Sequence, residues 1–334
     1  YGGTPPDPSL PQGFDAFHDL ILIDELCRCG AGGVLWAVFF SFGISLPPVL
    51  NVGSQYLRDK VARDVITGKK IMSLAVTEPG AGSDVASLTT TARKEGDFYV
   101  INGEKKFITS GMRAQYFTVA VRTGGSGMGG VSLLLVERDM PGVTIRRQKT
   151  QGWWTSSTTY ITFEDVRVPV QNLIGKENDG FRPIMHNFNH ERFVFAAMSN
   201  RFARVCLEDA IKYARVRKTF GKRLADQPVI RAKIAEMARV VESTHALIEQ
   251  IAYQMTMKVD DKLLGGPIAL VKVQATKTMD FCAREASQVL GGASCIRGGH
   301  GERIERLYRE VRQNAIAGGS EEILLDLAMR QARL

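Results

Sequence analysis

Cysteine is scarce in this chain and poorly placed for structural work. Its 334 residues include five cysteines (Cys27, Cys29, Cys206, Cys282 and Cys295), an odd number with no Cys-x-x-Cys pair. That excludes a disulfide framework, leaves Cys27 and Cys29 too close for an ordinary zinc pair, and fits a reducing compartment. Long apolar runs are missing as well: the longest, Gly33 to Phe40, stops well short of the ~20 residues that cross a bilayer, so no membrane span is expected. There is no Gly-x-x-x-x-Gly-Lys-Ser/Thr, which removes P-loop chemistry. There is also no Lys/Arg block and no basic-aromatic interleaving, although Lys plus Arg exceed Asp plus Glu by 43 to 35. A net charge of +8 spread in this way suits an enzyme whose ligands carry phosphates, and no nucleic-acid partner is expected.

What is present reads as an ordinary globular chain, 44% hydrophobic and 23% charged. Its length divided by a typical domain of ~150 residues suggests two or three domains. Three textures follow one another. From Phe14 to Thr67 apolar residues recur at helical spacing (Leu20, Ile23, Leu26; Leu57, Val61, Val65), with Pro47-Pro48 as a break. From Ile71 to about Val170 short strands alternate with turns. Asn102-Gly103 reads as a hairpin turn and Glu95-Gly96 as another, so the sheet should be antiparallel, a barrel or a sandwich. From Phe181 onward long helical stripes return: Phe195, Met198, Phe202, Val205, then Ile230, Ile234, Met237, Val241. A helix from Pro267 to Leu290 follows, capped by Gly291-Gly292, and a last one runs from Glu321 to Arg333. The expected fold class is α+β, with a helical domain over 1–70, a central antiparallel β domain over 71–175 and a helical bundle over 176–334.

Two motifs resolve to bland readings. Gly125-Ser126-Gly127-Met128-Gly129-Gly130 matches Gly-x-Gly-x-x-Gly but lies between two strands, whereas a dinucleotide fingerprint joins a strand to a helix. His186 and His190 are spaced four apart, as zinc ligands on a helix can be, but no third ligand follows at a suitable spacing; no metal is expected. The segment Thr77-Glu78-Pro79-Gly80-Ala81-Gly82-Ser83-Asp84 is richer. After a buried strand it offers two glycines, a proline, hydroxyls and carboxylates. It can aim backbone N–H groups at an anion or heterocycle, or equally be a plain connection.

That octet resembles the signature of the acyl-CoA dehydrogenase family, flavoproteins that bind FAD and oxidise acyl-CoA thioesters. Further stretches resemble the same family in the same order: Phe107-Ile108-Thr109-Ser110-Gly111, Phe163-Glu164-Asp165-Val166-Arg167-Val168-Pro169, Arg217-Lys218-Thr219-Phe220-Gly221 and Gln288-Val289-Leu290-Gly291-Gly292. The resemblance spans essentially the whole chain, and it implies opening helices that would precede Tyr1. It also implies that Leu74, Ala75, Val76, Thr77, Gly82 and Ser83, with Phe107, Ile108 and Thr109, hold the isoalloxazine. Phe107 stands where most members have Trp, keeping the aromatic cover without the indole donor. Arg217, Thr219, Phe220 and Gln227, with Gln288, Gly291, Gly292, Ser320 and Glu322, would grip the rest of FAD across a subunit boundary, which implies a homotetramer. Fatty-acid β-oxidation is the implied setting, with electron-transfer flavoprotein or oxygen as electron acceptor.

The chemistry needs a carboxylate to take the α-proton while hydride leaves to the flavin. Most members supply it from a Glu-Gly-Thr turn before the last helix; here that place reads Ile316-Ala317-Gly318-Gly319-Ser320, with Gly318 at the usual Glu. The isovaleryl and long-chain branches instead carry a Glu before an Arg on the first helix of the C-terminal bundle, and this chain has Asn189-His190-Glu191-Arg192. Glu191, otherwise an ordinary helix carboxylate, is therefore the expected catalytic base. Ser83, Asn189, Arg192, Ala317 and Gly318 are the expected substrate contacts. Ala317 and Gly318 remove bulk beside the reacting carbons, and Trp36, Phe39 and Phe40 lie where the resemblance places the pocket floor, so short- or medium-chain or branched acyl groups are expected. The alternatives are an oxidase-like enzyme using oxygen and a fold-retaining FAD/CoA-binding protein without turnover. Ala332-Arg333-Leu334 resembles the Ser-Lys-Leu peroxisomal address, with mitochondrial or cytoplasmic placement as alternatives.

Overall fold

The computed structural model describes residues 13–333; of the C-terminal tripeptide Ala332-Arg333-Leu334, Leu334 lies outside the described residues, as does Tyr1. The described chain begins with α1 (Ala16–Cys27), α2 (Gly32–Phe40), a π-helical stretch (Ser41–Ser45), α3 (Pro47–Val52) and α4 (Gln55–Ile66). Eight strands follow: β1 (Met72–Ala75), β2 (Thr91–Glu95), β3 (Phe98–Ile108), β4 (Tyr116–Arg122), β5 (Val131–Glu137), β6 (Val143–Arg147), β7 (Thr159–Pro169) and β8 (Leu173–Ile174). Then come α5 (Phe181–Val216), the short strands β9 (Lys218–Thr219) and β10 (Lys222–Arg223), α6 (Pro228–Thr256), α7 (Asp261–Leu290), α8 (Glu302–Ile316) and α9 (Glu321–Gln331). The three textures divide the chain by element type. By packing, the described residues form two units: Gly33–Phe188, and the residues up to Gly32 together with those from Asn189 onward.

The first unit is built on one eight-stranded sheet ordered β6-β7-β3-β2-β4-β5-β8, with β1 added against β4. Most pairs are antiparallel, as expected, but β1 and β2 both meet β4 in parallel, which makes the sheet mixed. Residues from β1 to β5 and from β7 share a single buried core, Phe117, Val119, Leu134, Ile161 and Phe163 among them.

Asn102-Gly103 is not a turn. It sits inside β3, where the register against β7 shifts between Ile101 and Gly103. Asn102 is used sideways: its amide donates to Asp165 Oδ1 and its oxygen accepts from the Asp165 N–H, both at 2.9 Å. Gly103 has φ +142°, and a Cβ there would lie 2.7 Å from Thr90 Cα, so glycine is dictated by a bulge and a close approach. The hairpin turn is the one at Glu95-Gly96, between β2 and β3. Gly125–Gly130 is the β4–β5 hairpin loop.

Two expectations about the first helices need correction. Pro47 and Pro48 start α3 instead of only breaking a run, because a proline at a helix start lacks an N–H that would have no intrahelical partner. Because Ser and Gly interrupt the apolar run without ending the helix, the helical stretch Gly32–Val52 is long and apolar enough to span a membrane, yet 72% of it is buried inside the protein, as in a core helix.

In the second unit Phe195, Met198, Phe202 and Val205 are all buried, as expected; of the other stripe Met237 and Val241 are buried, and Ile230 and Ile234 only half-buried. On α1 the buried face is Leu20, Ile23 and Cys27, while Leu26 turns outward. Asp15 caps α1 by accepting from the N–H groups of Phe17 and His18. Helix α7 starts at Asp261 and not at Pro267: the proline stands inside the helix, where it leaves out one i→i−4 hydrogen bond without ending it. Ion pairs Arg201–Asp24 and Arg303–Asp209 tie α1 and α8 to α5.

Candidate functional site

In the sheet unit, two of the implied flavin-holding stretches are side by side. Leu74, Ala75 and Val76 are buried at the end of β1. The Ser73 hydroxyl donates to the Thr109 carbonyl at 2.7 Å, and Lys106 N–H donates to the Thr77 carbonyl at 2.8 Å. Beneath the loop lies a fully enclosed ion pair: Lys105 Nζ is 2.7 Å from Glu78 Oε1 and donates to the Val76 carbonyl at 3.0 Å. Glu78 also accepts from the Thr89 N–H, the Thr89 hydroxyl and the Thr90 N–H. Burial raises the Glu78 carboxyl, but the Lys105 charge and these donors outweigh it and hold the group at about 2. Lys105 has fewer partners; burial pushes it down to about 8 against the pull of Glu78.

The surface of this arrangement is open and strained. A Cβ at Gly80 or Gly82 would meet nothing within 4 Å, and Ser83 is exposed. Phe107 has φ +61° and is 58% exposed, its N–H bonded to Gln148 Oε1 at 3.2 Å. Ile108 is buried, and its carbonyl accepts from the Thr159 hydroxyl at 2.9 Å. A bulky residue held in the left-handed region with its ring in solvent costs about 1–2 kcal/mol locally, the kind of strain that collects at binding sites. An exposed ring beside an open glycine loop fits one face of a planar heterocycle.

In the helical unit, β9 and β10 form a two-residue hairpin whose central residues, Phe220 and Gly221, have φ of +51° and +76°, as a type I′ turn requires. Phe220 at its tip is 98% exposed. Arg217 is exposed just before it, Thr219 lies in β9, and Gln227 precedes the first turn of α6. Gln288, Gly291 and Gly292 stand at the other end of the expected set, exposed at the close of α7; nothing lies within 4 Å of a Cβ built on either glycine. Ser320 precedes α9 and Glu322 sits in its first turn, its carboxyl held below the usual range by its own backbone N–H and the Ser320 hydroxyl. These residues occupy exposed or half-buried element ends and not a closed cluster.

The candidate base is different in kind. Glu191, on α5, is only 7% exposed. Burial raises its carboxyl to about 7, against the opposing charges of Arg192, Lys272 and His190. Arg192 Nε donates to the Gly318 carbonyl at 3.0 Å and its Nη1 to Asn189 Oδ1 at 3.1 Å. So Asn189, Arg192 and Gly318 are drawn together beside Glu191, with Ala317 at the end of α8. His190 Nε2 lies 3.1 Å from Asp19 Oδ2.

Gly318 has φ +69°, and a Cβ would lie 2.9 Å from the Phe195 ring. No side chain fits there without moving Phe195 or the turn. Gly318→Ala is therefore expected to destabilise the protein by about 1–3 kcal/mol, read as a lowered urea midpoint; an unchanged midpoint would mean that the turn relaxes freely.

Three features escaped the sequence reading: Lys272, the pairing of Glu78 with Lys105, and Trp153. Lys272 is a buried lysine among Ile268, Ala269, Val271 and Val273, and a charge inside an apolar stripe is a signal that could have found it. Trp153 packs edge-on against Trp36 with centroids 5.5 Å apart, and Trp36 against Phe40 at 5.4 Å.

Comparison with known proteins gives the family and the fold. Residues 73–166 match the family model described as acyl-CoA dehydrogenase, middle domain, and residues 178–332 that of the C-terminal domain. The acyl-CoA dehydrogenase apdG of Emericella nidulans is 45% identical over 324 residues, covering 95% of this chain and 74% of that protein. The mitochondrial isobutyryl-CoA dehydrogenase of Dictyostelium discoideum is 35% identical over 281 residues, 84% of this chain and 66% of its own length. The crystal structure of an acyl-CoA dehydrogenase from Geobacillus kaustophilus superimposes with a TM-score of 0.91 at 30% identity, covering 96% of this chain and 83% of that one.

Proposed function

The chain belongs to the acyl-CoA dehydrogenase family, and we propose that it desaturates a compact, branched or short- to medium-chain acyl-CoA between Cα and Cβ, with Glu191 as the base. The observation that carries this reading is the pairing of a buried Glu191 with a Gly318 that no carboxylate side chain can replace. A thioester α-proton is weakly acidic, so a base with its pKa raised toward neutrality is matched to the task. Glu191 takes that proton on its carboxylate; Arg192, braced by Gly318 and Asn189, keeps a positive charge next to the base.

FAD, when bound, supplies the acceptor for the β-hydrogen as hydride. Leu74 to Thr77, Gly82, Ser83 and Phe107 to Thr109 would hold its ring system. Arg217, Thr219, Phe220, Gln227, Gln288, Gly291, Gly292, Ser320 and Glu322 would hold the remainder, contributed from a neighbouring copy in a tetramer. The exposure of Phe220 on a strained hairpin supports that assignment, because a solvent-facing aromatic tip is suited to burial by a second copy. Electrons would then leave to an electron-transfer flavoprotein.

Two features support a compact acyl group. Trp36, Phe39 and Phe40 are buried, and Trp36 packs edge-on against both Trp153 and Phe40, so these large rings leave little room for a long chain if they form the pocket floor. Ala317 and Gly318 are small, which suits a branch at Cα, and the Dictyostelium relative is named for isobutyryl-CoA. The test is mass spectrometry of thioesters after turnover with an artificial electron acceptor. Loss of two hydrogens from isobutyryl- or butyryl-CoA, at a kcat/KM at least about tenfold above palmitoyl-CoA, is expected. A preference for palmitoyl-CoA would contradict the substrate class.

A further inference from the structure

Lys272 lies at the middle of α7, on a buried face, and its ammonium is used twice. It donates to the Ala315 carbonyl at 2.7 Å and to the Gly319 carbonyl at 2.8 Å. The first is an end carbonyl of α8, where the helix dipole leaves negative potential; the second belongs to the turn leading to α9. The same ammonium sits 5.6 Å from the centre of the Phe195 ring, within cation–π range. Phe195 is one helical turn beyond Glu191, and it is the ring against which Gly318 is pressed. The Gly318 carbonyl in turn accepts from Arg192. A continuous set of contacts thus runs from Lys272 through the Ala315–Gly319 turn to the residue that follows Glu191.

We propose that Lys272 is the positioning residue of the proton-transfer site: it holds the turn behind Gly318 in place and provides the buried cation against which the Glu191 carboxylate ionises. This rests on the reading of Glu191 as the base. The charged groups facing the pair are His190 and Arg192 on α5 and Glu321 and Glu322 at the start of α9. Burial drives Lys272 down to about 7, and Glu321, Glu191 and Glu322 oppose that loss of charge. With Glu191 also near 7, the two groups exchange charge in the same pH range, so the lysine's state controls how readily the carboxylate forms.

The experiment is stopped-flow reduction of the bound flavin by isobutyryl-CoA and butyryl-CoA, without oxygen, from pH 5.5 to 9. It compares the wild type with Lys272→Met, Lys272→Arg and Glu321→Gln, after FAD content has been matched. In the wild type the rate falls as pH drops through the Glu191 titration. Lys272→Met is expected to move that limb up by about one pH unit, a roughly tenfold loss at pH 6. Lys272→Arg restores the limb, because it returns the charge. A purely structural lysine would lower the yield of folded protein and leave the limb of the survivors where it was. If Lys272→Met does not fold, Glu321→Gln carries the test: it removes a carboxylate that keeps Lys272 protonated and is expected to shift the limb in the same direction by about half a unit. A folded, flavin-loaded Lys272→Met with the wild-type limb overturns the inference, as does an unmoved Glu321→Gln if it is the only folded variant. A wild type whose flavin neither thioester reduces overturns the dehydrogenation reading, and this inference with it.

Discussion

Glu191→Gln is expected to leave a folded protein that retains FAD and to slow flavin reduction by acyl-CoA at least about a thousandfold. Glutamine keeps the volume and loses only the proton-accepting charge, so binding and folding should survive. The same substitution should raise stability, and the direction follows from the raised pKa. Free in the unfolded chain the carboxyl titrates near 4.5, and in the folded protein near 7. Above pH 7 it is ionised in both states and the fold bears the cost of a buried charge, about 3 kcal/mol. Between 7 and 4.5 the folded state gains a proton that the unfolded state does not, and that cost disappears. Glu191→Gln should therefore unfold at a higher urea concentration than wild type at pH 8, with the advantage gone at pH 4.5. A variant slower but no more stable at pH 8 would mean that the carboxylate is not buried in the working protein.

The second large effect concerns stability. Glu78→Gln should destabilise the protein by about 3–5 kcal/mol, because it strands the enclosed Lys105 ammonium without its counter-charge. The double variant Glu78→Gln, Lys105→Met should recover most of that loss, since the pair is then removed as a whole. The pH sign is opposite to that of Glu191. Glu78 is held at about 2 in the fold, so its stabilisation is present above about 4.5 and lost as pH falls toward 2. Because the pair lies directly beneath Val76 and Thr77, the single variant should also release FAD more readily on dilution than the double variant. Equal stability of single and double variants would show that the two charges do not depend on each other.

The helix–strand–helix order and the Thr77–Asp84 loop were legible in the sequence because they are local: periodicity and turn residues report on neighbours a few positions away. Asn102-Gly103 misled for the same reason. As a dipeptide it favours a hairpin, but its place is decided by Thr90 and Asp165, partners distant in sequence. Glu191 emerged only once Gly318 was seen at the usual Glu position. The physical reason glycine belongs there, a left-handed backbone pressed on Phe195, needed the fold. Lys272 was invisible, since a helix lysine normally reads as solvated; its partners are carbonyls 43 and 47 residues away.

The most direct test of the account is an absorption spectrum of the flavin-loaded protein, recorded without oxygen while acyl-CoAs are added to wild type and Glu191→Gln in parallel. Prompt bleaching of the wild-type flavin band by a compact acyl-CoA, with the Glu191→Gln spectrum unchanged over the same time, is the predicted result. Bleaching of both proteins at similar rates would contradict Glu191 as the base, and bleaching of neither by any thioester would contradict acyl-CoA dehydrogenation itself.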